Sequence, residues 1–123
     1  MRALVNVMKA LSDPGRVKVL KMLEARELCA CEIIGLLGLA QPTVSRHLKV
    51  LVDAGLISGR KVGCWVHYRL APASPYARAM LEALPGWLES EPEIRTLRQA
   101  LGQLTPLKLS IPEDCCEPAS AQP

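Results

Sequence analysis

The sequence predicts a mainly α fold carrying one small β-hairpin, and three features of its pattern predict it. Apolar residues recur at helical spacing over most of the chain. A tight turn containing glycine joins two of those helices. Between residues 56 and 70 the period switches from that of a helix to that of a strand. With 123 residues, 50% of them hydrophobic and 22% charged, the chain fits one domain with or without a tail, and wholesale disorder is excluded.

Leu4, Val5, Met8 and Leu11 space a first amphipathic helix over residues 1–11. Asp13 is a candidate N-cap and Pro14 a first helical residue, so a second helix follows. Val17, Leu20, Met22 and Leu23 line one side of it, with Arg16, Lys18 and Lys21 expected outside. A third helix starts near Cys31, carries Ile33, Ile34, Leu36 and Leu37, and stops at Gly38. A short connection, Leu39 to Gln41, leads to a fourth helix from Pro42 to Ala54, ended by Gly55. Two helices joined so tightly form a helix-turn-helix.

Leu56–Val62 and Cys64–Leu70 then read as two strands joined around Val62-Gly63, a basic hairpin with Arg60, Lys61 and Arg69. That hairpin makes the unit a winged helix-turn-helix. Helical pattern returns over Pro75–Glu89, with Pro85-Gly86 predicting a kink or break, and again over Pro92–Leu104. Residues 1–104 are thus expected to form one winged helix-turn-helix domain, and 105–123 a flexible Cys-containing tail.

Charge is uneven. Residues 1–70 hold 11 Lys/Arg against 5 Asp/Glu, and residues 71–123 hold 4 against 7. A basic front half suits a polyanion, although a solvated charged face has the same composition. With Val44, Leu48 and Leu51 turned inward, Gln41, Thr43, Ser45, Arg46 and His47 are the candidates to meet base edges. Lys49, Arg60, Lys61 and Arg69 suit phosphates. Four aromatic residues and no Phe argue against a stacking platform for single strands, so the expected partner is double-stranded DNA.

Five cysteines, Cys29, Cys31, Cys64, Cys115 and Cys116, do not read as a disulfide framework. No signal-peptide core and no apolar run long enough for a membrane span are visible, so the expectation is a cytoplasmic chain with no membrane partner. The thiols are then free, metal-ligating or redox-active. Enzyme chemistry is not expected. None of the cysteines is followed six residues later by the Arg of a phosphatase-like loop, and no phosphate loop or nucleophile elbow is present.

Ser12-Asp13-Pro14-Gly15-Arg16, Glu27-Leu28-Cys29-Ala30-Cys31-Glu32, the run from Gln41 to Lys49 and the run from Gly63 to Leu70 together resemble the ArsR/SmtB metalloregulators. The resemblance covers about residues 3–100. It implies a homodimeric winged helix-turn-helix repressor, released from its operator by a metal or metalloid, with the first and last helices pairing the subunits. The apolar stripe on residues 4–11 suits that pairing and equally suits core packing.

Cys29-x-Cys31 falls at the expected start of the third helix. Two residues apart on a helix point about 200° away from each other, so joint ligation requires an irregular helix start. Pulling there would strain the support of the fourth helix. A helix N-terminus also lowers a thiol pKa. Thiolates select arsenite or antimonite, with Cd(II) or Pb(II) as the runner-up inducers. Trivalent arsenic wants three sulfurs, and here one arsenic-sensor pattern of the family, Cys-x-Cys-x-x-Cys, has Ile34 in its third position. The third sulfur is therefore expected from Cys115 or Cys116. Cys64, beside the hairpin turn, reads as an incidental wing residue. A thiol redox switch is the remaining alternative.

Overall fold

The computed structural model describes residues 1–104. The tail cysteines Cys115 and Cys116 lie outside the described residues. Helix α1 spans Arg2–Ala10 and α2 spans Pro14–Ala25; strand β1, Leu28–Cys29, precedes α3, Ala30–Leu37. Helix α4 is Gln41–Asp53, strands β2 and β3 are Ile57–Val62 and Trp65–Leu70, and α5 is Pro75–Ala83. A 3-10 turn over Leu84–Gly86 leads to α6, Pro92–Gly102.

The local signals act as their chemistry requires. The Asp13 carboxylate accepts the Arg16 backbone N–H at 3.2 Å, and Pro14 opens α2 without wasting a donor. Gly38 ends α3 at φ 69°, a left-handed position that side chains resist. Pro85 breaks the expected long helix, so α5 stops at Ala83.

The core joins Val19, Leu20, Met22 and Leu23 of α2 to Ile33, Val44, Leu48 and Leu51 of the helix-turn-helix, and Ile94, Leu97 and Leu101 close it from α6. In α1 it is Val7 and Ala10 that are buried, while Leu4, Val5 and Met8 stay exposed. Most of the apolar stripe on α1 therefore faces out.

The expected hairpin is present, β2 pairing β3 from Ile57 with Leu70 to Val62 with Trp65, and a two-residue strand that the sequence did not announce extends it to a three-stranded antiparallel sheet in the order β1-β3-β2. β1 pairs Leu28 with Tyr68 and Cys29 with His67. Lys21, expected outside, is fully buried. Its Nζ donates to the Leu84 carbonyl at 3.1 Å, the Trp87 carbonyl at 2.9 Å and Glu89 Oε2 at 2.5 Å, with Glu24 Oε1 3.1 Å away. Arg98 of α6 closes the cluster on Glu24 and Glu89. Where the chain leaves α5, carbonyls lie beyond the regular helical bonding, and the ammonium gives them a donor. Burial is stable here because every proton of the cation has an acceptor.

Candidate nucleic-acid interface and its cysteine pair

Helix α4 buries Val44, Leu48 and Leu51 and leaves Ser45, Arg46 and Lys49 exposed, with Gln41 and Thr43 half-buried at its start. These groups form a polar tip of donors and acceptors at a helix N-terminus. Lys49 Nζ bonds Asp53 at 3.2 Å, one turn on. On the wing, Arg60, Lys61 and Arg69 are exposed.

His47 makes contacts that its spacing on α4 did not announce. Its side chain is only 11% exposed and faces α2, where Nε2 lies 3.5 Å from Asp13 Oδ2. Arg16 Nη1 approaches Nδ1 at 3.4 Å. Arg16 also donates to the carbonyls of Ala10 and Lys9 at the end of α1. A Cβ on residue 15 would stand 2.9 Å from the imidazole, so Gly15 is what admits the ring. His47 anchors α4 to α2.

The cysteine pair sits at the junction of β1 and α3. Cys29 is the N-cap of α3, in extended backbone at φ −85° and ψ 160°. It is not a helical residue, so the opposed directions expected for two residues of one helix do not apply. Its sulfur accepts the Glu32 backbone N–H, and the Glu32 carboxylate accepts the Cys29 backbone N–H at 3.0 Å. This is a reciprocal capping box with sulfur in the place of a hydroxyl. Cys29 is half-buried and Cys31, in the first turn of α3, is exposed.

The thiol chemistry also differs from expectation. Burial pushes the Cys29 thiol above its ordinary value, and the Glu32 carboxylate adds to the rise. The N–H groups of Glu32 and Cys31 pull it down but do not win. Among the described residues no three His, Cys, Asp or Glu side chains gather closely enough to hold a metal. Cys64 is half-buried beside the turn between β2 and β3.

The sequence pattern did not single out Glu27 or Glu32. Glu32 had a readable signal, an acidic residue three positions after an N-cap. Glu27 had none, because its partner Arg60 lies on another element.

The sequence profile of "Bacterial regulatory protein, arsR family" matches residues 13–58, from the N-cap of α2 into β2. The arsenic resistance transcriptional regulator ArsR2 of Pseudomonas putida is 37% identical over 89 residues, covering 68% of this chain and 77% of that regulator. The chain belongs to the ArsR family of bacterial transcriptional regulators. The arsenical resistance operon repressor of Escherichia coli K12, a further ArsR relative, is 43% identical over 72 residues, 58% of this chain. The match spans 62% of that repressor's length. Among solved structures, HlyU from Vibrio cholerae has a TM-score of 0.59 at 35% identity, covering 68% of this chain and 88% of HlyU. A homodimeric winged helix-turn-helix DNA-binding domain from Mycobacterium bovis has a TM-score of 0.59 at 28% identity, covering 69% and 80%. The fold is thus the winged helix-turn-helix of ArsR transcriptional regulators. No helix among the described residues is long and apolar enough to cross a membrane.

Proposed function

We propose that this ArsR regulator is an arsenite-responsive repressor that holds double-stranded operator DNA as a homodimer. Arsenite, bound by Cys29, Cys31 and a sulfur from Cys115 or Cys116, releases it. One observation carries the reading. Cys29 is at once the partner of the wing strand β3 and the N-cap of α3, the helix that packs on α4. A ligand that draws Cys29 and Cys31 together acts on both DNA-facing elements through one residue.

Arsenic(III) fits the donors. Thiols are its preferred partners, and the extended backbone at Cys29 frees its sulfur from the helical direction of Cys31. Proton balance separates arsenite from cadmium. Arsenous acid condenses with three neutral thiols, forming three As–S bonds and three waters with no net proton released. Cadmium must instead displace each thiol proton, at a cost that grows with thiol pKa. The names of the P. putida and E. coli relatives support the same choice. Antimonite shares this chemistry; Cd(II) and Pb(II) share the thiols but not the proton balance.

Pairing of the subunits through α1 and α6 is supported by Leu4, Val5 and Met8, which stand exposed on α1. Ser45, Arg46, Gln41 and Thr43 are assigned to base edges, and Lys49, Arg60, Lys61 and Arg69 to phosphates.

Two predictions test this reading. Arg46→Ala is expected to weaken binding to a duplex selected by the wild-type chain by about 1–3 kcal/mol and to relax base choice, while Lys61→Ala weakens all duplexes alike. A binding titration at several salt concentrations checks both, and an inert Arg46→Ala would sink the assignment of α4. The second prediction concerns pH. In DNA-release titrations under reducing conditions, arsenite potency should stay flat between about pH 6.5 and 8, whereas cadmium potency should climb as thiol protons leave more easily. A parallel climb for arsenite, or release by cadmium, lead or zinc alone, would overturn the choice of ion. Charge-transfer absorption on titrating reduced protein separates ligation from thiol oxidation, which consumes thiols without metal.

A further inference from the structure

The three-stranded sheet places one row of residues side by side. Cys29 of β1 pairs with His67 of β3, and His67 pairs with Arg60 of β2. Residues directly opposite in antiparallel strands project to the same face. Glu27, two residues before Cys29, joins the row from the side. Its Oε2 accepts Arg60 Nε at 3.1 Å and Arg60 Nη2 at 3.0 Å, and His67 Nδ1 lies 3.8 Å away. One carboxylate oxygen, carried on the segment that bears the cysteines, thus holds an arginine of the wing.

The two partners are unequally placed. The Glu27 side chain is 28% exposed and that of Arg60 62%. The carboxylate is the more enclosed of the two, and the guanidinium reaches solvent. Ion pairs this exposed are weak, so an arriving phosphate can take Arg60 away. Glu27 occupies the Nε/Nη2 edge of the guanidinium, a fork that a phosphate also uses, so the two compete for that edge.

We infer that Glu27 competes with a DNA phosphate for Arg60, and that this competition links the cysteine segment to the wing. Without inducer, Arg60 exchanges between Glu27 and phosphate, and Glu27 holds operator affinity below its ceiling. When a ligand draws Cys29 toward Cys31, β1 shifts against β3 and Glu27 moves with it, retaining Arg60 and removing one phosphate contact. This second step rests on the proposed inducer; the competition itself rests only on the wing meeting DNA.

A double-mutant cycle on the full-length chain decides both. The probe is a duplex selected from a random pool by wild-type protein, titrated at several salt concentrations without inducer. Glu27→Gln is expected to bind it about two- to fivefold more tightly, the scale of a released surface pair. Arg60→Gln should bind several-fold more weakly, with a salt slope shallower by about one. In the Arg60→Gln background, Glu27→Gln should change nothing. An equal gain in that background would mean that Glu27 repels DNA by its own charge, which overturns the competition. An unchanged or weakened Glu27→Gln overturns it as well. Both substitutions are conservative in size, and circular dichroism and sedimentation confirm fold and assembly; Glu27→Ala is the second variant if Gln perturbs either.

Arsenite is then added. The ratio of dissociation constants with and without arsenite should fall at least threefold in each single variant, because neither has an Arg60 contact to lose to Glu27. Unchanged ratios in both would overturn the coupling to the wing. If arsenite releases no protein, wild type included, the inducer reading falls, while the titrations without inducer still decide the competition. An inert Arg60→Gln alongside a disabled Arg46→Ala removes Arg60 from the interface and leaves the role of α4 standing.

Discussion

Lys21→Ala is expected to cost about 3 kcal/mol of stability, more than any other single truncation of a charged residue in this domain. The ammonium is fully buried, and its removal strips the Leu84 and Trp87 carbonyls of a donor at once. Glu24 and Glu89 keep only Arg98 as counter-charge. Because Glu89 is 44% exposed and can regain water, the loss belongs at the lower end of the range for broken buried pairs. Thermal unfolding followed by circular dichroism should show a fall on the order of 10 °C or more. Lys21→Met restores the packing but not the donors, so it should recover only part of the loss. A Lys21→Ala protein that melts within a few degrees of wild type would show that the cluster does not tie α6 to α2.

The same cluster sets a pH dependence. Hydrogen bonds from Arg98 and then Lys21 hold the Glu89 carboxyl at about 2, below its ordinary 4.5. A depressed carboxyl stabilises the fold above its unfolded pKa, and that contribution disappears as pH falls through the folded value. Wild type should therefore lose stability progressively from about pH 5 toward about pH 2. Glu89→Gln, which cannot titrate, should start less stable near neutral pH and follow a flatter acid limb. Urea unfolding at about pH 7, 4 and 3 checks the slope. Parallel curves for the two proteins would remove Glu89 from the account.

Lys21 also shows where reading the sequence stops. Helices announced themselves through local chemistry: Asp13-Pro14 before α2, Gly38 after α3 and Gly55 after α4 all act within a few residues. The spacing of Val44, Leu48 and Leu51 separated the polar tip of α4 from its buried side for the same reason. Lys21 depends on acceptors 63 to 68 residues away, so its spacing on α2 marked it as a solvated charge. The contacts of His47 were hidden in the same manner, since Asp13 and Arg16 reach it from another helix. Strand β1 is two residues long, too short to carry any periodicity, and it exists only because β3 offers it an edge. With β1 hidden, Cys29 looked helical, and neither its tie to His67 nor the Glu27–Arg60 pair could be foreseen. The motifs located the cysteines; tertiary packing determines what they touch.

Cys29→Ser is expected to abolish the response to arsenite while leaving the fold and operator binding intact. Serine is among the best N-cap residues, and with Glu32 three positions later it rebuilds the capping box with oxygen in place of sulfur. Melting temperature should therefore match or exceed that of wild type, which rules out misfolding as the cause of a lost response. Cys31→Ser changes an exposed residue of the first turn of α3 and should be equally mild. Each variant removes a sulfur that a three-thiolate arsenic centre needs, so both should remain bound to operator at arsenite concentrations that release wild type. The tail supplies the third test. Truncation after Ile111 should spare DNA binding and sharply weaken arsenite binding, and the double variant Cys115→Ser/Cys116→Ser should do the same where either single change is rescued by its neighbour. Any segment that has to be ordered on ligation contributes less than a preformed ligand would. X-ray absorption at the arsenic edge should count three sulfurs in the intact chain and fewer in the double variant. A full sulfur shell there would rule the tail out, and loss of DNA binding by both Cys29→Ser and Cys31→Ser without arsenite would make the pair structural.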